Sequence, residues 1–183
     1  MLTRPRCTLR LVTALLILAV LGTTAWAQES KSAALAKELT TVMDAAKLTA
    51  IAAKDPADND TFVAAMYFTG GQLLVVRARY EPSVLLVPKM SKRDFQEIYI
   101  DLNSASVAST RVFIEDLGAD GLKADHPADT GFDSMERAGK RTLFDQQWRK
   151  DQKISDEEYA KTFADADALY ARLLQSLINE ARK

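Results

Sequence analysis

The sequence predicts an α+β domain: an antiparallel sheet of about four strands, in a ββαββ block, packed by an N-terminal helix and a long C-terminal helix. Three observations carry this. β-Branched and aromatic residues concentrate between Asp60 and Leu117, in runs that alternate or flank a Gly-Gly pair. An alanine-rich stretch before that block and a long stretch after it both repeat apolar residues every three or four positions.

Met1 to Ala27 reads as a secretory signal peptide. Arg4, Arg6 and Arg10 form a basic start without acids. Leu11 to Leu21 is an apolar core too short to span a bilayer, and Ala25-Trp26-Ala27 is a small-x-small cleavage site ahead of Gln28. The mature chain is expected to run from 28 to 183 as one domain, periplasmic or secreted. Cleavage removes three arginines and no acid, which moves the formal charge from −1 to −4. That balance argues against sequence-independent nucleic-acid binding. The one cysteine, Cys7, lies in the leader, so no disulfide is expected in spite of the oxidising compartment. No later apolar run is long enough for a membrane span.

In Ala33–Lys54, Leu35, Leu39, Val42, Ala46 and Ala50 recur at helical spacing, and Met43 and Ile51 widen the stripe. Asp55-Pro56 ends this helix, and Asp55, Asp58 and Asp60 form an acidic connector. Thr61–Phe68 and Gln72–Tyr80 are strand runs around Gly70-Gly71, a pair that accepts the positive φ of a primed two-residue turn. Such a turn sets Phe68 against Leu73, Ala64 against Arg77 and Phe62 against Arg79. Both faces are apolar near the turn, which predicts cover on each. A helix is expected within Ser83–Asp94, either short or starting after Pro88. Phe95–Leu102 and Thr110–Leu117 alternate as the third and fourth strands.

Gly118–Arg141 has no clear period and reads as a long acidic loop. Thr142–Lys153 reads as a short helix with Thr142 as cap. Ser155–Arg182 is the clearest helix. Ser155 and Glu158 fit a capping box, Ile154 and Tyr159 a hydrophobic staple, and Tyr159, Phe163, Ala166, Tyr170, Leu173 and Leu177 one apolar stripe. Docking on the sheet is the simpler account of that stripe; a homodimer seam is the other.

Motifs for chemistry are sparse. His126 alone, with no mature cysteine, leaves zinc without a ligand set. Asp116, Asp120, Asp125, Asp129 and Asp133 lack the alternating oxygen ligands and closing glutamate of a calcium loop, and read as a solvated acidic loop. There is no Gly-x-Ser-x-Gly elbow and no phosphate-binding glycine loop. Nothing marks a serine partner for His126. No metal or cofactor is expected.

The chemically unusual surface is a charged field. Alternation projects Arg77 and Arg79 from one face of the second strand, Glu97, Tyr99 and Asp101 from the third, and Arg111 and Glu115 from the fourth. Cross-strand charge pairs on a solvated face account for it structurally. The functional account is a recessed site in which paired arginines bind a carboxylate or phosphate. The order hairpin, helix, two strands resembles that of small flavin-binding split barrels, in element order only and without a flavin phosphate motif. The chain therefore reads as an exported, non-enzymatic binding module for a protein or a small anionic ligand. The alternatives are an enzyme of unassigned class using the arginine–carboxylate face, and a structural accessory that oligomerises through the last helix.

Overall fold

The computed structural model describes residues 30–68, 70–79, 86–88, 96–98, 111–124 and 131–183, with the backbone alone at 59, 86–88 and 96–98. The architecture is α+β. Helix α1 (Lys31–Ala45) leads into strands β1 (Ala50–Asp55), β2 (Asp58–Phe68) and β3 (Gln72–Arg79). Short strands β4 (Leu86–Pro88) and β5 (Gln96–Ile98) pair with each other. Strands β6 (Val112–Leu117), β7 (Ser134–Arg137) and β8 (Lys140–Leu143) follow, then helices α2 (Gln146–Asp151) and α3 (Asp156–Ala181). The main sheet is antiparallel, six-stranded rather than four-stranded, and ordered β1-β2-β3-β6-β7-β8. Among the described residues β1 pairs only with β2 and β8 only with β7, so this sheet is open and does not close as a split barrel would.

Several segments depart from their sequence reading. The first helix stops at Ala45, where an alanine-rich stretch reads as continuing. Leu48 N–H bonds to the Met43 carbonyl at 2.8 Å and Lys47 N–H to Asp44 at 3.1 Å. Lys47 sits at φ 55°. This is a Schellman stop with lysine in the place usually taken by glycine, so no glycine signals it. Ala50–Asp55 is then free to become β1, because pairing with β2 outweighs alanine's modest helix preference.

The β2–β3 register is the second departure. Phe68 pairs with Gln72 and Val63 with Arg77, one position from the expected pairing, so 69–71 form the connection. A one-residue slip sends a side chain to the other face. Arg77 thereby joins Val63, Ala65, Leu73 and Val75 on the helix-covered face.

The third is the expected loop 118–141. It contains β7, and β8 follows through a two-residue turn with Ala138 at φ 50° and Gly139 at φ 79°, the primed geometry that suits a hairpin. Since β8 occupies 140–143, the short helix begins later and is capped by Asp145, which accepts the Trp148 N–H at 2.7 Å, and not by Thr142. Residues 86–88 are strand, so a helix between Ser83 and Pro88 is not formed there; the alternative start after Pro88 lies outside the described residues. Gln96–Ile98 is strand as expected, but in the small sheet. His126, Asp125 and Asp129 lie outside the described residues.

The last helix holds to its sequence reading. Ser155 accepts the Glu158 N–H, and Tyr159, Ala166, Tyr170, Leu173, Leu174, Leu177 and Ile178 are buried. All of these but Tyr159 join Leu39 and Met43 of α1 and Val63, Leu73, Val75 and Ile114 of the sheet in one core. The stripe is thus consumed by the fold.

Buried carboxylates fasten the segment after β6. Asp116 accepts the Asp120 and Gly121 N–H groups at 3.1 and 2.9 Å and the Tyr170 hydroxyl at 2.9 Å. Asp133 accepts the Leu117 and Lys123 N–H groups at 2.8 and 2.7 Å. Asp167 accepts from Lys31 N, Ser32 N and Ser32 Oγ at the positive end of α1, and Ser32 Oγ accepts the Leu122 N–H. Gly121, at φ 86°, lies so close to α1 that a Cβ there would sit 2.5 Å from Ala33 Cα. Asp116 and Asp133 are therefore structural and fully buried, not solvated loop residues. Burial pushes the Asp116 carboxyl above its ordinary range against the pull of its donors. Burial, then the neighbouring Asp116 charge, pushes the Tyr170 phenol well above its own.

Candidate functional site

The main sheet divides the four residues of the charged field that it carries, Arg77, Arg79, Arg111 and Glu115. Arg77 and Arg79 share the helix side, and their acids come from the connector Asp55–Asp60. Arg77 Nε donates to Asp55 Oδ2 at 2.6 Å, and Arg172 of α3 donates to Asp55 Oδ1 at 2.5 Å. The Ala57 N–H adds a third bond at 3.0 Å. Arg77 also lies 4.0 Å from Asp58, and Arg79 lies 3.8 Å from Asp60. Burial alone would raise the Asp55 pKa. The Arg77 bond, the Ala57 N–H and the Arg172 charge together outweigh it and hold this carboxyl below its ordinary range. Asp58 is also held low, chiefly by the Thr61 hydroxyl.

Arg111 and Glu115 belong to the opposite face. Leu74 pairs with Glu115 and Val76 with Phe113 across β3–β6, so both residues point away from the helices. Arg111 donates to Glu136 at 3.0 Å and covers the Phe113 ring at 5.2 Å. Glu115 accepts from Gln72 and from Arg141, each at 2.7 Å, and from Ser134 at 3.3 Å. The Glu97 backbone pairs with Val87 in the small sheet; its side chain, with Tyr99 and Asp101, lies outside the described residues. The described part of the predicted field is thus two ion-pair groups on opposite sides of a sheet. The acids that answer Arg77 and Arg79 were legible as a connector, but their partners depended on where β1 ran.

The side facing away from the helices carries the second apolar face read from the sequence, and the cover expected for it is incomplete. At its far end Phe62, Val76 and Ala78 are buried, with Leu74 and Phe113 packed on them. Toward the β2–β3 turn the cover ends. Met66 is 40% exposed and Phe68 44% exposed, the large exposed hydrophobics of the described residues. Met66 lies between Leu74 of β3 and Ala50 of β1, and Ala64 lies opposite Ala52. Gln72, Glu115, Arg141 and Lys54 border the surface on the same face. An apolar centre with a polar border is the composition of a protein-contact surface.

Among the described residues, no three His, Cys, Asp or Glu side chains gather as a metal ligand set. No helix there is long and apolar enough to cross a membrane. Comparison of the chain with protein-family models, with curated proteins and with solved structures finds no match.

Proposed function

We propose that this chain is an exported, non-enzymatic interaction module that binds a protein partner through the apolar face around Met66 and Phe68. The observation that carries the reading is the exposure of those two neighbouring side chains on one sheet face. Large apolar side chains left uncovered side by side signal a contact surface more strongly than scattered ones do. The anionic-ligand reading has less support, because Arg77, Arg172, Arg111 and Arg141 each meet a carboxylate within 3.0 Å. Replacing both Met66 and Phe68 with glutamate should abolish photo-crosslinking from this face to a partner in producing cells. The fold should lose no more than about 0.5 kcal/mol, the range of surface substitutions. A crosslinking pattern identical to wild type would reject the face.

Export rests on the basic start, the short apolar core and the Ala25-Trp26-Ala27 site. The exported protein should have the intact mass of a chain starting at Gln28. A mature chain that keeps Met1 to Ala27 would overturn this.

A further inference from the structure

Among the described residues strand β1 is an outer strand, and the phase of its ladder is known. Tyr67 N–H bonds to the Thr49 carbonyl at 2.9 Å, and Thr49 precedes the pairs Ala50–Met66, Ile51–Ala65 and Ala53–Val63. Hydrogen-bonded pairs alternate along an antiparallel ladder. Thr49, Ile51 and Ala53 therefore turn their backbone groups toward β2, while Ala50, Ala52 and Lys54 turn theirs outward. Ala50 and Lys54 are exposed. The two edges of the sheet differ. β8 carries Lys140 beside Arg137 of β7, cations that repel their own copy, while Arg141 is paired with Glu115. β1 offers alanines and a single lysine.

We infer that β1 is the seam of a two-fold homodimer, joined antiparallel about Ala52 into one continuous sheet. The register follows from the residues. Pairing Ala52 with Ala52 of the second copy sets Ala50 against Lys54 and uses all three outward-facing residues in hydrogen-bonded positions. The ladder shifts register between Lys54 and Asp55, and Pro56 follows, so the pairable run ends there. A slip of two residues would lose pairs. The one charge of the seam faces an alanine, and the two lysines stand about 14 Å apart along the strand, beyond the screening length. Small side chains at 50 and 52 let the backbones approach without clash. Because Met66 sits beside Ala50 on the same face, the seam joins the two apolar faces into one. The inference rests on the edge and not on the identity of any partner.

Sedimentation of the mature chain at roughly 100 µM should show a dimer. Ala52→Pro should be monomeric with unchanged circular dichroism, because the amide it removes points outward. Ala52→Lys and Ala52→Glu should each be monomeric, since the two-fold sets residue 52 against itself. Mixing those two variants should restore a dimer of one lysine and one glutamate copy. A monomeric wild type, variants that stay dimeric, or a mixture that stays monomeric would each overturn the proposal.

Discussion

Leu173→Ala should destabilise the protein by about 2–5 kcal/mol, the range for emptying a fully buried leucine site. Leu173 is wholly inaccessible and lies in the α3 face between α1 and the sheet. Its neighbours Leu174, Leu177 and Tyr170 are buried with it, and Tyr170 is held in place by its bond to Asp116. They cannot collapse freely into the vacancy, and that rigidity places the cost above simple transfer of the three lost carbons. Urea denaturation measures it. A loss under about 0.5 kcal/mol would mean that this face of α3 is not the docking face.

Asp55→Asn should cost about 2–3 kcal/mol at neutral pH, and the cost should shrink in acid. Removing one partner of a buried ion pair strands the other charge. Here two guanidiniums lose their common carboxylate. Arg172 is 38% exposed and can recover some hydration, which lowers the cost below that of a fully buried pair. The sign of the pH dependence follows from Asp55 having a folded pKa below its ordinary 3.8. Its ionised form therefore stabilises the fold above that pH, and the contribution fades as pH falls through the lowered folded value. The difference between wild type and variant should be full at neutral pH and narrow as pH falls below 3.8. Asp116 acts in the opposite direction. Its raised folded pKa makes stability fall as pH rises from 3.8 through the raised value. Because wild type and Asp55→Asn both keep Asp116, that trend cancels in their difference. A gap that stays constant from neutral to acid pH would show that the Asp55 charge is not what Arg77 and Arg172 require.

What the sequence determined by itself was local and periodic. The capping residues and the three-and-four spacing of α3 specify that helix wherever it docks, because N–H satisfaction and an apolar stripe are properties of a few consecutive turns. The alternation in Val112–Leu117 and the strand runs on either side of Gly70-Gly71 specify β2, β3 and β6 in the same way. Tertiary structure decided the rest. Whether Ala50–Asp55 extends a helix or adds a strand depended on β2 being available to pair with it. The one-residue register of the β2–β3 hairpin decided which face received Arg77, and β6 placed Glu115 on the other face. The charged field read from the sequence divides there, because alternation states which residues share a side of one strand but not how neighbouring strands align. Nor does the sequence distinguish a solvated aspartate from one that is buried. Asp133 and Asp167 stay inside because backbone N–H groups from other segments converge on them, and Asp116 because the Tyr170 hydroxyl joins the Asp120 and Gly121 N–H groups; only the fold completes these donor sets.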